Sequence, residues 1–255
     1  MRTRGIFGVL SAGLLLAGCQ TGTLPDPNDA GAMGGVMKAA VLRRNLAYAN
    51  QVLEHRAEVG EITSKKRAEL LKRYAAELVE EIDVAKIPDE QAWEYGDIFK
   101  TAELWDKAKV AYEKAILKPK TEDRRINDTL RLALAEAHLG NVPRAIELAR
   151  STLDAKDEQA APILPAVLLE IVPAGEGKGS DSELAILLED AIAAHQRTVV
   201  NPSTEAGKMF FMAKPTHIRD AYRKAILLYM RAGQPEEADR VKNEADEVLK
   251  KFGRV

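Results

Sequence analysis

Hydrophobic residues recur with a helical period in the chain beyond residue 36. Between residues 62 and 86, apolar side chains return mostly at intervals of three or four, which places them on one face of a helix. They are Ile62, Leu71, Tyr74, Leu78 and Ile82. No convincing run of alternating β-branched residues, the pattern typical of strands, is present. The pattern therefore predicts an all-α body over residues 36–255.

Glycine and proline residues divide this body into helices. Gly60 favours a left-handed end to the first helix, and Pro88 ends the second. The predicted helices are 36–59, 62–86, 89–101, 105–118, 124–139, 142–155, 158–172, 181–199, 216–232 and 235–252.

The first 18 residues show a different pattern, that of an export signal. Arg2 and Arg4 precede the short apolar stretch Ile6 to Leu16. This stretch has the length of the apolar core of a secretory signal peptide and is too short to span a bilayer. No later stretch is apolar for long enough to form a transmembrane helix. We therefore expect residues 1–18 to be a signal peptide.

The end of this signal resembles the lipobox of bacterial lipoproteins. Leu16-Ala17-Gly18 is followed at once by Cys19, the only cysteine of the chain. A thiolate is the nucleophile that accepts a diacylglyceryl group, and the resemblance implies lipidation of Cys19, with cleavage before it. The alternative is an ordinary secretory peptide in which the cysteine occurs by chance.

Residues 19–35 are expected to be the lipidated N-terminus and a flexible linker, since they combine several glycines and prolines without hydrophobic periodicity. After removal of residues 1–18, 35 basic residues face 39 acidic ones, so the net charge is −4. This mild acidity argues against binding to nucleic acid. Gln20 is not the aspartate associated with inner-membrane retention, so we expect the periplasmic face of the outer membrane.

Part of the body resembles tetratricopeptide (TPR) repeats. The clearest unit carries Tyr95, Gly96, Asp97, Ile98 and Phe99 in one helix, followed by Ala108, Tyr112, Ala115 and Pro119. A second unit contains Ala133, Leu139, Gly140 and Ala145, and a third contains Tyr229, Gly233 and Ala238. The resemblance implies stacked helical hairpins, an α-solenoid.

Such stacking would line a concave groove with side chains from the first helix of each hairpin. On the clearest unit, the resemblance implies that protein-binding groove positions are Glu90, Trp93, Asp97, Lys100 and Thr101. An exposed Trp93 would supply a large contact area, whereas the alternative is that it packs against residues 82–87.

Other candidate chemistry is weaker. His55, His138, His195 and His217 show no metal-ligand spacing, so neither a metal nor any cofactor beyond the lipid on Cys19 is expected. The cluster Met209, Phe210, Phe211 and Met212 fits either a buried plug under a long connection or an adaptable interface.

The sequence favours a non-enzymatic scaffold, tethered to a membrane by its lipid, that binds a protein of the cell envelope. It is similar to repeat lipoproteins that assist outer-membrane protein assembly or peptidoglycan enzymes. One alternative is an envelope enzyme, or its subunit, that uses carboxylates brought together from distant helices. Another is a structural lipoprotein that links the membrane to the cell wall.

Overall fold

A computed structural model describes residues 38–252. The predicted signal peptide, Cys19 and the linker 19–35 lie outside the described residues. The described part is all-helical and has no β-strand. Its first helices are α1 (Ala39–Glu58), α2 (Ser64–Val79), α3 (Ala92–Thr101), α4 (Trp105–Leu117), α5 (Glu122–His138) and α6 (Val142–Arg150). The later ones are α7 (Ile163–Ala166), α8 (Val172–Gly175), α9 (Asp181–Arg197), α10 (Glu205–Arg231) and α11 (Pro235–Phe252).

Most of these helices pack against the helix that follows them in the chain. This holds from α1 through α6, and again from α9 through α11. The connections are short, and Gly60, at the first of them, has a φ of 78°, the left-handed conformation expected from the sequence. In addition α1 packs against α3, and α6 and α7 both pack against α9.

The core lies between the paired helices and holds several aromatic side chains. Tyr95 and Phe99 of α3 and Tyr112 of α4 are fully buried. Gly96 lies directly beneath the Tyr112 ring, since a Cβ built there would be 2.5 Å from the Tyr112 Cε1 atom. The glycine thus makes room for the ring of the neighbouring helix.

The second predicted helix is too long, because α2 ends at Val79 and a turn follows. Asp83 accepts a hydrogen bond from the Ala85 amide (3.0 Å) and starts a 3₁₀ turn at Val84–Lys86. The Lys114 ammonium donates to the carbonyls of Val84 and Ala85, at 3.2 and 2.9 Å. These bonds replace the helical hydrogen bonds that the carbonyls would otherwise accept.

The segment predicted as one helix over 158–172 is instead a series of short pieces. A 3₁₀ turn at Asp157–Ala160 precedes α7, and a π-helical turn at Val167–Ile171 joins α7 to α8. Three prolines, 162, 165 and 173, lack the amide hydrogen that a regular helix needs at its interior positions. The helix predicted over 142–155 likewise ends early, at Arg150.

The helix predicted to begin at 216 begins eleven residues earlier, at Glu205. Thr204 caps it, as its hydroxyl oxygen accepts a hydrogen bond from the Gly207 amide at 3.0 Å. Pro215 lies inside α10 and does not end it. The cluster 209–212, predicted to lie in a connection, therefore lies in the first half of a long helix.

Candidate protein-binding groove

Three of the five predicted groove residues share one face of α3. Trp93, Asp97 and Lys100 are separated by four and three residues, which brings their side chains to the same side of a helix. Each of them contacts a side chain from another part of the fold. This face and the side chains that contact it are called the α3 groove here.

Trp93 lies between two guanidinium groups. The Cζ atom of Arg124, from α5, is 3.7 Å from the centre of the indole ring, and that of Arg43, from α1, is 4.4 Å away. Arg43 also forms an ion pair with Glu94 at 3.6 Å. Arginine over an aromatic face is a favourable cation–π arrangement, so α1, α3 and α5 meet at this side chain.

Asp97 is held by two donors. The Tyr112 hydroxyl donates a hydrogen bond to the Asp97 Oδ1 atom at 2.9 Å, and Arg131 Nη1 is 3.1 Å from the same oxygen. Burial, and then the nearby Asp97 carboxylate, raise the pKa of Tyr112 well above its usual value. The tyrosine therefore remains a hydrogen-bond donor throughout the physiological range.

Asp128 on α5 links the two arginines of that helix. Its Oδ1 atom is 2.6 Å from Arg124 Nη2 and 3.5 Å from Arg131 Nη1. The side chain is only 2% exposed. Burial raises the pKa of its carboxyl group, although the two arginines act in the opposite direction. A continuous set of contacts therefore runs from Trp93 to Asp97.

Lys100 forms an ion pair with Glu170 of the π-helical turn, at 2.9 Å. Thr101 is differently engaged, because its hydroxyl donates to the Asp97 carbonyl oxygen of its own helix, at 2.9 Å. Glu90 is exposed in the 3₁₀ turn before α3. The predicted site thus divides into three residues that meet other helices and two that flank them.

Two clefts lie along this face. The first, of about 530 Å³, lies beside Trp93, and the second, of about 280 Å³, lies beside Lys100. The first is lined mainly by charged side chains, among them Lys38, Glu90, Lys120 and Arg124. The second is lined by Leu130, Pro162, Pro165, Ala166 and Leu169 together with Lys100, Arg131 and Glu170. Both clefts therefore combine apolar surface with charged groups.

Sequence reasoning missed the partners of the α3 residues, although the sequence carries a signal for part of them. Arg124, Asp128 and Arg131 repeat the spacing of Trp93, Asp97 and Lys100 after an interval of 31 residues. This spacing places Arg124, Asp128 and Arg131 together on one face of their own helix. Arg43 and Glu170 have no comparable signal, because only the packing of distant segments brings them to the groove.

The cluster 209–212 is separated from the groove residues in sequence and is divided between two environments. Met209, Phe211 and Met212 are 57%, 47% and 75% exposed. The Phe210 ring instead packs against His195, with 4.8 Å between the ring centres. Three of the four residues are therefore exposed, and Phe210 is packed against the body.

The histidines lie in different surroundings in the fold. His195 and His217 are 6.1 Å apart between ring centres, and His138 stacks on Trp105 at 3.7 Å. Across residues 38–252, no three His, Cys, Asp or Glu side chains are grouped so as to hold a metal ion.

No helix in residues 38–252 combines the length and hydropathy that a transmembrane segment requires. Comparison with models of protein families finds no match for this chain, and comparison with curated proteins finds no similar sequence. The chemistry of the groove is thus the basis for assigning a function.

Proposed function

We propose that this protein is a lipid-anchored scaffold of the bacterial cell envelope, whose TPR-like body binds a protein partner through the α3 groove. Lipidation of Cys19 would hold it at the periplasmic face of the outer membrane. The linker 19–35 would allow the body to move relative to that membrane. The proposal assigns no chemical reaction to the chain.

The solenoid part of the proposal is supported by the order of helix packing. Consecutive helices from α1 to α6 form adjacent pairs, and α1, α3 and α5 converge on Trp93. This is the arrangement in which the first helices of successive hairpins line one surface. In the repeat units read from the sequence, Ala108 and Ala145 occupy equivalent positions 37 residues apart, close to the length of one helical-hairpin repeat.

The observation that carries the binding proposal is the fixed position of Trp93 beside a cleft. Aromatic and arginine side chains are enriched among residues that contribute most to protein interfaces. Here one tryptophan and two arginines are already held together, so binding of a partner would cost little conformational entropy in these side chains. The cleft of about 530 Å³ gives a partner access to the ring edge and to Arg124.

In-cell crosslinking with mass spectrometry tests this groove. Trp93→Ala should reduce partner recovery at least tenfold if the indole is a dominant contact, since such contacts contribute about 2 kcal/mol or more. Trp105→Ala is the matched control, because Trp105 stacks on His138 and not on the groove arginines. Circular dichroism of both variants checks that the fold is retained. Equal recovery from Trp93→Ala and Trp105→Ala would exclude the groove.

A second pair of variants tests the other end of the groove. Lys100→Ala removes the ion pair with Glu170, and Lys72→Ala removes the ion pair with Glu103, which follows α3 and does not belong to the α3 groove. Partner recovery should fall only with Lys100→Ala. If both substitutions have the same effect, the loss reflects a general change of charge.

The lipid anchor is tested separately by mass spectrometry of the residue at position 19 and by fractionation. Cys19→Ser should remove the acyl mass and release the body from the membrane fraction. An unmodified Cys19 in the wild-type protein would refute the anchor and leave the groove proposal intact.

A further inference from the structure

The first half of α10 presents three large apolar side chains to solvent. Met209, Phe211 and Met212 are each about half exposed or more. With 3.6 residues per turn, they lie within an arc of about 160° around the helix. They belong to a helix that begins at the Thr204 cap and contains Pro215. Contiguous exposed apolar side chains of this kind mark a surface that binds a protein, a membrane or another ligand.

Basic side chains fall within the same arc. Lys208 precedes the apolar residues, and Arg219 and Arg223 lie two to three turns further along the same side of the helix. Lys208 and Arg223 are largely exposed, and Arg219 is about half exposed. At 1.5 Å per residue, Arg219 is about 10 Å from Met212 along the helix axis. The surface therefore has an apolar end and a basic end.

The charge of this segment is opposite to that of the whole chain. Residues 205–223 contain four Lys or Arg and two Asp or Glu, a net charge of +2, whereas the chain has a net charge of −2. The two acids, Glu205 and Asp220, already pair with Lys208 and with Arg219 and Arg223. The fourth basic residue, Lys214, lies outside the arc and donates to the Gln196 carbonyl at 3.2 Å. The surface itself thus carries three basic and two acidic side chains, an excess of one positive charge, which favours an anionic partner.

We infer that this part of α10 docks on an anionic phospholipid surface, with Met209, Phe211 and Met212 entering the headgroup and acyl boundary. Helices that bind in this way combine bulky apolar side chains with flanking Lys and Arg. Side chains such as Met and Phe fit a fluid surface because they need no preformed pocket. A protein partner would also fit apolar side chains, but the excess of positive charge favours the lipid.

Docking would orient the body relative to the membrane. The inference rests on the proposed lipid anchor only for proximity, because the anchor keeps a bilayer within reach of α10. The α3 groove involves none of residues 205–223, so its residues would remain available to a partner while α10 is docked.

The test uses the full chain in vesicles, with an environment-sensitive dye on a cysteine introduced by Thr216→Cys. Thr216 is exposed one turn beyond Met212, so the docking residues are left intact. Lipids that carry a nitroxide quench the dye when it approaches the bilayer. We expect quenching in vesicles of phosphatidylcholine with phosphatidylglycerol, and much less in phosphatidylcholine alone or at high salt. A dye introduced by Glu236→Cys, at the exposed start of α11, should stay unquenched.

Matched variants separate insertion from general hydrophobicity. Met209→Gln with Met212→Gln should lower the docked-to-undocked ratio about tenfold or more, since the transfer of two large apolar side chains is lost. Val59→Gln with Leu117→Gln removes two exposed apolar side chains that lie outside α10 and should change nothing. Lys208→Gln should lower the docked-to-undocked ratio about fivefold, which is the effect of one basic residue near an anionic surface. Lys242→Gln on α11 is the control and should leave this ratio unchanged.

Several results would overturn the inference. Equal quenching at positions 216 and 236 would exclude docking through α10, as would equal effects of the two Gln pairs. Protection of the dye only after envelope proteins are added would assign the surface to a protein. Mass spectrometry reports independently whether Cys19 carries lipid. If it does not, quenching is measured with Cys19→Ser protein at increasing vesicle concentration, so a missing anchor and a missing docking surface remain distinguishable.

Discussion

The close approach of α3 and α4 at Gly96 gives the sharpest test of the packing. In Gly96→Ala, the new Cβ would lie 2.5, 2.8 and 2.9 Å from the Cε1, Cδ1 and Cζ atoms of Tyr112. To restore the ordinary distance between carbon atoms in contact, the ring or the helix would have to move by about 1 Å. The ring cannot rotate away freely, because it is fully buried and its hydroxyl is bonded to Asp97.

The size of the effect follows from two opposing contributions. Forcing a methyl group into a well-packed core costs about 1–3 kcal/mol. Alanine is favoured over glycine within a helix by about 1 kcal/mol. The steric cost is expected to exceed the helix preference here, because three ring atoms are involved and the ring is held. The free energy of unfolding should fall by about 1–2 kcal/mol.

Urea and thermal unfolding, followed by far-ultraviolet circular dichroism, measure this change. The midpoint temperature should fall by about 2–8 °C in a chain of this length. The Tyr112→Leu background supplies the control. There the ring is absent, so adding Gly96→Ala should be neutral or stabilising by up to about 1 kcal/mol. Stabilisation of the same size in both backgrounds would refute the proposed contact between Gly96 and Tyr112.

Three further predictions concern the α3 groove, the buried histidine and a helix cap. Asp128→Asn should lower the free energy of unfolding by about 2 kcal/mol, because it leaves Arg124 and Arg131 without their shared carboxylate; Asp123→Asn on the exposed side of α5 is the control in urea unfolding. Burial, and then Lys214 and His217, lower the pKa of His195 from 6.5 to about 4. Between pH 6.5 and 4, His195 therefore takes up a proton when the protein unfolds. About 3 kcal/mol of stability present above pH 6.5 should be lost as the pH falls to 4. His195→Leu should remove that part of the pH dependence in denaturant titrations, and an unchanged slope would contradict the assignment. Thr204→Ala should lower the free energy of unfolding by about 1 kcal/mol and destabilise the first turn of α10. Hydrogen exchange of the amides at 205–208 should then be faster. Unchanged exchange would show that the cap does not stabilise this end of the helix.

Helix positions were predictable where a single local signal decides them. The starts of α6 and α11 agree with the sequence prediction, and Gly60 has the left-handed conformation expected after the first helix. At these sites a glycine or a proline limits the backbone whatever surrounds it. Propensity and local chemistry are then sufficient.

Prediction failed where tertiary contacts override the local pattern. The helix predicted over 216–232 extends back through Pro215, and Thr204 provides the true start. Apolar periodicity continues past Val79, but Lys114 bonds the carbonyls of the following turn. In each case the deciding group is a cap or a distant side chain whose role becomes visible only in the folded chain.

The groove residues show the same division between local and distant information. The face formed by Trp93, Asp97 and Lys100 follows from helical spacing, and the structure places all three on one side of α3. Their partners come from α1, α5 and the π-helical turn. Burial of His195 was equally unpredictable, since its ring is 1% exposed and has no hydrogen-bond partner for either nitrogen within residues 38–252.

The two candidate surfaces differ in how their charge is balanced, and this difference separates their functions. In the α3 groove, four basic side chains pair with four carboxylates, among them Lys100 with Glu170 and Arg131 with Asp97. A partner there would gain from the ring and from directed hydrogen bonds, with little long-range attraction. On the α10 surface, three basic side chains, Lys208, Arg219 and Arg223, face two acidic ones, so one positive charge remains uncompensated there. Screening by salt should therefore weaken α10 docking strongly and groove binding weakly, so one salt titration of the same protein distinguishes membrane orientation from partner recruitment.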